Sequence, residues 1–277
     1  MTATPNAAQL AYWNGENGQR WSSRVAITER IFAPLSARVL SAAAAVPSDR
    51  VLDIGCGCGG NTLNLARTAA RVVGIDISQP MLAFARSRAE REGIRNASFV
   101  EADASTHRFD PGSFTLAFSQ FGVMFFDDPV AAFTNIRSGL AGGRLAFVCW
   151  RPLAENTWQS IPARAVDRVL PPAAPSDPQA PGPFAFAHPD RVRGVLGQAG
   201  FHDVTVTPHD AELRIGDDVR DAATVAAGFG AAARRLVGVE QQLFDAAVDA
   251  IADALHPYRR SDGVYLGAAV WLVTARS

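Results

Sequence analysis

The sequence predicts an α/β protein built on a mostly parallel sheet with helices on both faces. Three observations point there. Short β-branched runs alternate with helical ones from residue 50 to residue 150, and a glycine-rich turn joins the first strand of that stretch to its first helix. In addition, 48% of the 277 residues are hydrophobic, enough for one large core or for a core carrying an elaborated cap.

In chain order, residues 51–54 read as a strand, 61–71 as a helix and 72–77 as a second strand. Residues 79–92 read as a helix, with Met81, Leu82 and Ala85 at helical apolar spacing. A third strand is expected at 98–101, a fourth at 114–119, a helix at 129–140 and a fifth strand at 144–150. Beyond Trp150 the composition changes. Residues 171–183 form a proline-rich loop that suits neither a helix nor a central strand. A helix at 189–199 leads through Gly200 to a strand at 203–207, and 264–274 reads as the final strand. The helix-rich stretch from about 217 to 255 is far more than a connection between two strands requires. The expected organisation is a helical cap segment at 1–48, a ligand-binding core at 49–150, and remaining strands with inserted cap helices at 151–277. Ligands of open α/β sheets bind at the carboxyl edge of the strands, which the cap would cover.

Composition narrows the function. With 26 basic and 27 acidic residues the net charge is −1, and no basic run marks a nucleic-acid partner. Every basic residue is Arg, so Schiff-base and lysine general-base chemistry are unavailable. Three cysteines are too few for a disulfide scaffold, and Cys56 and Cys58, with no companion ligands, read as structural. The first residues lack a signal-peptide pattern and no apolar run is long enough for a membrane span, so a cytoplasmic protein is expected. The oligomeric state is not legible.

The chemistry lies at three strand ends. Val51 to Gly60, VLDIGCGCGG, is a strand, a tight glycine turn and a helix start. Gly55 and Gly57 let the backbone turn sharply and approach a ligand. Gly55, Gly57 and Gly60 also satisfy the dinucleotide pattern, so an NAD(P)-dependent oxidoreductase is one alternative. Asp53 weighs against it, because a carboxylate two residues before the first glycine disfavours a pyrophosphate. It favours the sulfonium and ammonium of S-adenosylmethionine. Asp76 ends the second strand, where it can accept from both ribose hydroxyls, and Asp103, after the third, can accept from an adenine amino group.

These residues resemble the class I S-adenosylmethionine-dependent methyltransferases, especially the bacterial ubiquinone/menaquinone-biosynthesis type, over about residues 50–150. Val51–Gly60 is similar to the family's cofactor turn, Gly74–Ser78 to its ribose strand and Ala102–Ala104 to its adenine segment. The resemblance implies a Rossmann-like sheet of seven strands with the last antiparallel. It implies that Gly55, Cys56, Gly57, Ile77 and Ala104 line the cofactor, that Met81 packs on adenine, and that Ser119 lies near the methionine half. The N-terminal Tyr12–Gly15 and Gln19–Trp21 resemble the segment that closes over the cofactor, with Trp21 among its contacts. Phe118–Phe121 lacks the Asn/Asp-Pro-Pro-aromatic motif of many adenine-N6 and glutamine-N5 methyltransferases.

The implied activity is methyl transfer to an O, N or C nucleophile of a small, apolar or aromatic acceptor, with no metal. A macromolecular acceptor, or cofactor binding without catalysis, is the other alternative. The five histidines are scattered and read as surface or core residues. His188, beside Phe184 and Phe186, is the one proposed general base. Trp158, Phe184, Phe186 and Phe229 are expected to wall the acceptor pocket.

Overall fold

The computed structural model describes residues 6–171, 177 and 179–277. Part of the proline-rich loop, 172–176 and 178, lies outside the described residues. Three helices precede the first strand: α1 (Ala7–Asn14), α2 (Glu16–Ser23) and α3 (Val25–Ala43). Ile31, Leu35, Val39 and Ala43 of α3 recur every fourth residue and are all buried, so they form the stripe that holds the helix to the core. The alternating region follows as β1 (Arg50–Ile54), α4 (Gly60–Ala66), β2 (Arg71–Asp76), α5 (Gln79–Arg91), β3 (Ala97–Glu101), β4 (Phe114–Gln120), α6 (Pro129–Ser138) and β5 (Leu140–Trp150). The chain ends with α7 (Thr157–Val166), α8 (Pro189–Gln198), β6 (His202–Gly216), α9 (Val219–Gly228), α10 (Gly230–Arg235), α11 (Gln241–Leu255), β7 (Arg259–Arg260) and β8 (Gly263–Arg276).

The strands lie in the order β3-β2-β1-β4-β5-β8-β6, with β7 pairing β8 in an antiparallel ribbon. The sheet is mostly parallel with one antiparallel strand, as expected, but among the described residues it has eight strands and not seven, because the two-residue β7 adds to β8. Central β1 pairs in parallel with β2 on one side and β4 on the other, Val51 facing Val72 and Leu116. Successive strands step one way from β1 to β3 and the other way from β4 to β5, so the order reverses between β1 and β4. Such a reversal opens a crevice at the carboxyl edge of the two strands.

Three boundaries differ from the sequence expectation. Helix α4 stops at Ala66 rather than 71, because Asn96 Nδ2 donates to the carbonyls of Ala66 and Ala69 and thereby caps the helix end. Strand β5 begins at Leu140, not 144: the glycines at 142 and 143 form an irregularity within the strand, where the register with β4 shifts between Phe114 and Leu116. Strand β6 runs to Gly216, well past 207. It lies at the end of the strand order, so exposed polar residues and Pro208 interrupt the apolar alternation without ending the strand.

The chain divides into two compact units, Met1–Cys149 with Gln179–Pro208 and Trp271–Ser277, and Trp150–Pro178 with His209–Val270. In the first, Phe186 is buried with its ring 6.2 Å from Phe133 and 6.4 Å from Phe147. It is therefore core and not the pocket wall expected of it. In the second, α11 packs on α9 and α7, and Trp150 and Trp158 meet at 5.1 Å. Among the described residues no helix is long and apolar enough to cross a membrane.

One ion pair ties the amino-terminal ends of β1, β4 and β5 to the end of α3. Arg144 grips Asp49 through two bonds of 3.0 and 2.6 Å while also donating to the carbonyls of Ala43 and Ala44. Asp49 further accepts from Val46 N and Thr115 Oγ. Burial pushes the Asp49 carboxyl up, but the bonds from Arg144, Val46 and Thr115 outweigh it and hold the pKa at about 2. A depressed carboxyl contributes stability above its unfolded pKa and loses it as pH falls through the folded value. Arg144→Leu is expected to cost about 2 kcal/mol or more at neutral pH, with the deficit narrowing between about pH 4 and pH 2. Urea unfolding of the two proteins across that range checks it, and a pH-independent deficit would contradict it.

Candidate functional site

The turn after β1 is clipped onto β2 by backbone bonds. Gly55 N and Cys56 N both donate to Ile75 O, at 2.9 and 3.2 Å. Gly55 (φ +65°) and Gly57 (φ +53°) adopt the left-handed conformation. At Gly55 space forbids a side chain as well, since a Cβ would sit 2.7 Å from the backbone of Gly122, whereas one on Gly57 would meet only the flexible Met81 Cε, at 2.8 Å. The turn is therefore pinched between the exit of β4 and the start of α5.

Asp76 closes the arrangement from β2. Its Oδ2 accepts from Gly57 N and its Oδ1 from Ser78 N, both at 2.8 Å. A carboxylate offers about four acceptor positions, so acceptor capacity remains for a sugar hydroxyl. Burial raises the Asp76 pKa, opposed by the backbone N–H groups of Ser78, Gly57 and Ile77. Ile77 is half-buried beside it, and its carbonyl accepts from Asn14 Nδ2 at 2.8 Å.

Asp103 also lies at its strand end, with both oxygens engaged: Ser105 N donates to Oδ1 at 2.8 Å and Asn6 Nδ2 to Oδ2 at 2.7 Å. Ala104 beside it is buried. Asn6 joins this loop to the one after β4, donating from its backbone to Asp127 Oδ2 at 2.6 Å and accepting from Asp127 N at 2.8 Å. At the other end of α1, Asn14 accepts from Gln79 N, and Ser78 Oγ donates to Trp13 O. Helix α1 thus runs from the loops after β3 and β4 to the loop after β2, with an asparagine clamp at each end. Trp21 on α2 is half-buried, its ring edge-on to Trp13 at 6.2 Å.

Asp53 does not face a ligand as the sequence reading has it. It is 2% exposed, sealed beneath the turn, and accepts from Thr62 Oγ on α4 at 2.6 Å. Burial, aided by the neighbouring Asp76 charge and opposed by Thr62, raises its pKa to about 7. It is therefore a packing and anchoring group, and its charge is a poor argument for one cofactor over another. Burial, then the Asp76 and Asp53 charges, push the Cys56 thiol up, and burial puts Cys58 at about 12. Neither is a reactive thiolate at neutral pH. Ser119 is fully buried, donating to Ile54 O at 2.8 Å and accepting from Gly122 N at 3.1 Å, so its hydroxyl ties β4 to β1. His188 is exposed just before α8, whose packing partner is α6, and none of its hydrogen bonds reaches the turn.

The sequence reading missed Asn6, Asn61 and Gln120. Gln120 Oε1 accepts from Asn61 Nδ2 at 2.5 Å and from Ser36 Oγ at 2.8 Å, beside the turn at the exit of β4. The next residue, Phe121, holds φ +68°, a conformation that costs a non-glycine residue about 1–3 kcal/mol and is found at functional sites. Isolated amides carry no sequence signature; the one available signal was their place just after strand and turn.

A family model described as a methyltransferase domain matches residues 51–143. A nocamycin O-methyltransferase from Saccharothrix syringae is 30% identical over 195 residues, 66% of this chain and 70% of that protein. An aklanonic acid methyltransferase from Streptomyces sp. (strain C5) is 38% identical over 120 residues, 42% of this chain and 54% of that protein. The match thus spans about half the length of this second relative. The solved phosphoethanolamine N-methyltransferase 2 of Haemonchus contortus, holding S-adenosylhomocysteine, shares the fold at TM-score 0.59 and 18% identity, covering 96% of this chain and 59% of that one.

The Asp53 assignment yields a pH test. A carboxyl raised to about 7 in the folded protein stabilises it fully below the unfolded pKa and loses that contribution as pH rises through 7. Asp53→Asn, which cannot ionise, is expected to gain on the wild type by about 2.5 kcal/mol between pH 5 and pH 8. Thermal melts at the two pH values check this, and a constant difference would contradict it.

Proposed function

Because this chain belongs to the S-adenosylmethionine-dependent methyltransferases, we propose that it transfers a methyl group to an oxygen, nitrogen or carbon of a small apolar or aromatic molecule. The observation that carries this reading is the joining of the left-handed glycine turn to Asp76, which leaves acceptor capacity at the β2 end. The fit to S-adenosylmethionine is direct: a carboxylate with acceptor capacity to spare suits the ribose, and a left-handed glycine turn suits close approach of the thioether chain. When bound, this cofactor supplies an activated methyl group on a sulfonium.

The chain's own work is positioning. Asp76 would hold the ribose, Gly55 and Gly57 would set the backbone against the cofactor, and Met81, buried beside Gly57, would close the adenine side. Ile77, Ala104 and the clamped α1 complete the adenosine half, with Trp21 packed against Trp13 behind it. Asp103 would share an oxygen between Asn6 and the adenine amino group. Holding nucleophile, methyl carbon and sulfur collinear removes much of the entropic barrier, so an acceptor that is already nucleophilic needs no dedicated base. His188 shows no contact that would make it one. Two relatives named as an aklanonic acid methyltransferase and a nocamycin O-methyltransferase support a small-molecule acceptor.

S-adenosylhomocysteine is expected to raise the melting temperature of this protein while NAD leaves it unchanged. In turnover assays with methyl-labelled cofactor, label is expected in aromatic hydroxy acids or quinols from a panel of small acceptors. Stabilisation by NAD alone would overturn the cofactor, and label appearing in total RNA but in no small molecule would overturn the acceptor class.

A further inference from the structure

The amino-terminal edge of the sheet, opposite the glycine turn, gathers positive charge. Arg50 opens β1 and Arg71 opens β2, and the two are register partners in the parallel pair, so their side chains leave the same face of strands about 4.8 Å apart. Like charges set directly opposite each other across a sheet are destabilising. Arg108, between β3 and β4, joins them. The three line a cleft of about 190 Å³ together with His107 and, among the described residues, a single carboxylate, Asp110.

That charge is not neutralised within the protein. Among the described residues neither the Arg71 nor the Arg108 guanidinium makes a hydrogen bond or an ion pair, and Asp49, the acidic neighbour of Arg50 in sequence, is spent on Arg144. Arg50 is braced by neutral groups: its Nε donates to Ser113 O at 2.8 Å and one Nη to Gly112 O at 3.1 Å. The two carbonyls fix the plane of the guanidinium and leave the other Nη to donate elsewhere. One side of the cleft is an aromatic wall, with the His107 ring edge-on to Phe109 at 5.0 Å and Phe109 edge-on to Phe114 at 6.1 Å. Phe109 is buried, which holds the wall in place, while the three arginines are exposed and open to a ligand.

We propose that this cleft is a second binding site, for a small anion bearing a phosphate or pyrophosphate group held by Arg50, Arg71 and Arg108. Guanidinium forks match the oxygens of a phosphate and pair with them through parallel charged hydrogen bonds. Volume limits the ligand: about 190 Å³ is below the roughly 300–1,000 Å³ of drug-sized sites, so the cleft takes a phosphate head and not a whole nucleotide. Position sets it apart from methyl transfer. Strand β1 has five residues, so Arg50 lies about 13 Å along the strand from the turn assigned to the cofactor. The anion is therefore neither cofactor nor methyl acceptor, and its site does not depend on the S-adenosylmethionine reading.

Calorimetric titration with pyrophosphate at about 0.1 M ionic strength tests the site. The wild type is expected to bind at one site with a dissociation constant below about 1 mM. Arg71→Ser and Arg108→Ser leave the braced Arg50 in place, and each is expected to weaken pyrophosphate by about 10- to 100-fold, the loss of one charged hydrogen bond. Both side chains are exposed, so the variants are expected to stay folded, which circular dichroism checks. Arg164→Ser removes an exposed arginine outside the cleft and is expected to leave the affinity within about twofold. Absence of binding to the wild type overturns the inference, as does wild-type affinity in both cleft variants. An equal loss in all three variants would mean attraction to net charge alone and overturns it too.

Discussion

The carboxylate of Asp76 accepts from Gly57 N and Ser78 N, and through these two bonds it joins the glycine turn of β1 to the end of β2. The remainder of the site hangs on that junction. The turn is already clipped to β2 by Gly55 N and Cys56 N on Ile75 O, so Asp76 completes a closed loop of backbone bonds around one acidic group. Helix α5 begins at once, at Gln79, and brings Met81 against Gly57. The amino-terminal α1 then rests on the same loop through Asn14 and Ser78. Removing the carboxylate would orphan two backbone donors as well as any ligand bond.

Ionisable groups under the turn are arranged to stay quiet. Burial keeps Asp53 half-protonated near neutrality, with a pKa of about 7, and pushes the two neighbouring thiols up. Asp76, also raised by burial but keeping some solvent contact, is the acid proposed to hold the ribose. At the exit of β4 the polar groups are neutral instead: the Gln120–Asn61 pair and the hydroxyl of Ser36. Neutral amides suit a site where positioning, and not proton transfer, is the protein's contribution.

Much of this was legible in the sequence because it is local. A strand, a glycine turn and a helix follow one another within a dozen residues, and Asp76 and Asp103 fall at strand ends that β-branched runs announce. What was not legible depends on contacts between distant segments. Asn6 meets Asp103 and Asp127 across about a hundred residues, and Ser36 meets Gln120 across 84, with no periodicity to reveal either. The orientation of Asp53 was misread for a related reason: spacing places a carboxylate near a turn, but burial decides which way it faces. Edge strand β6 outran its expected length because an exposed edge tolerates the polar residues and proline that end a central strand.

The central claim is that one carboxylate organises both the turn and the cofactor's ribose. Asp76→Asn tests it most directly, since the amide keeps one acceptor and presents N–H groups where the second backbone donor and the ribose hydroxyl require an oxygen. Calorimetric titration with S-adenosylhomocysteine, on protein shown by circular dichroism to be folded, is expected to give a dissociation constant about 100-fold weaker than wild type. Wild-type affinity in the folded variant would contradict the account.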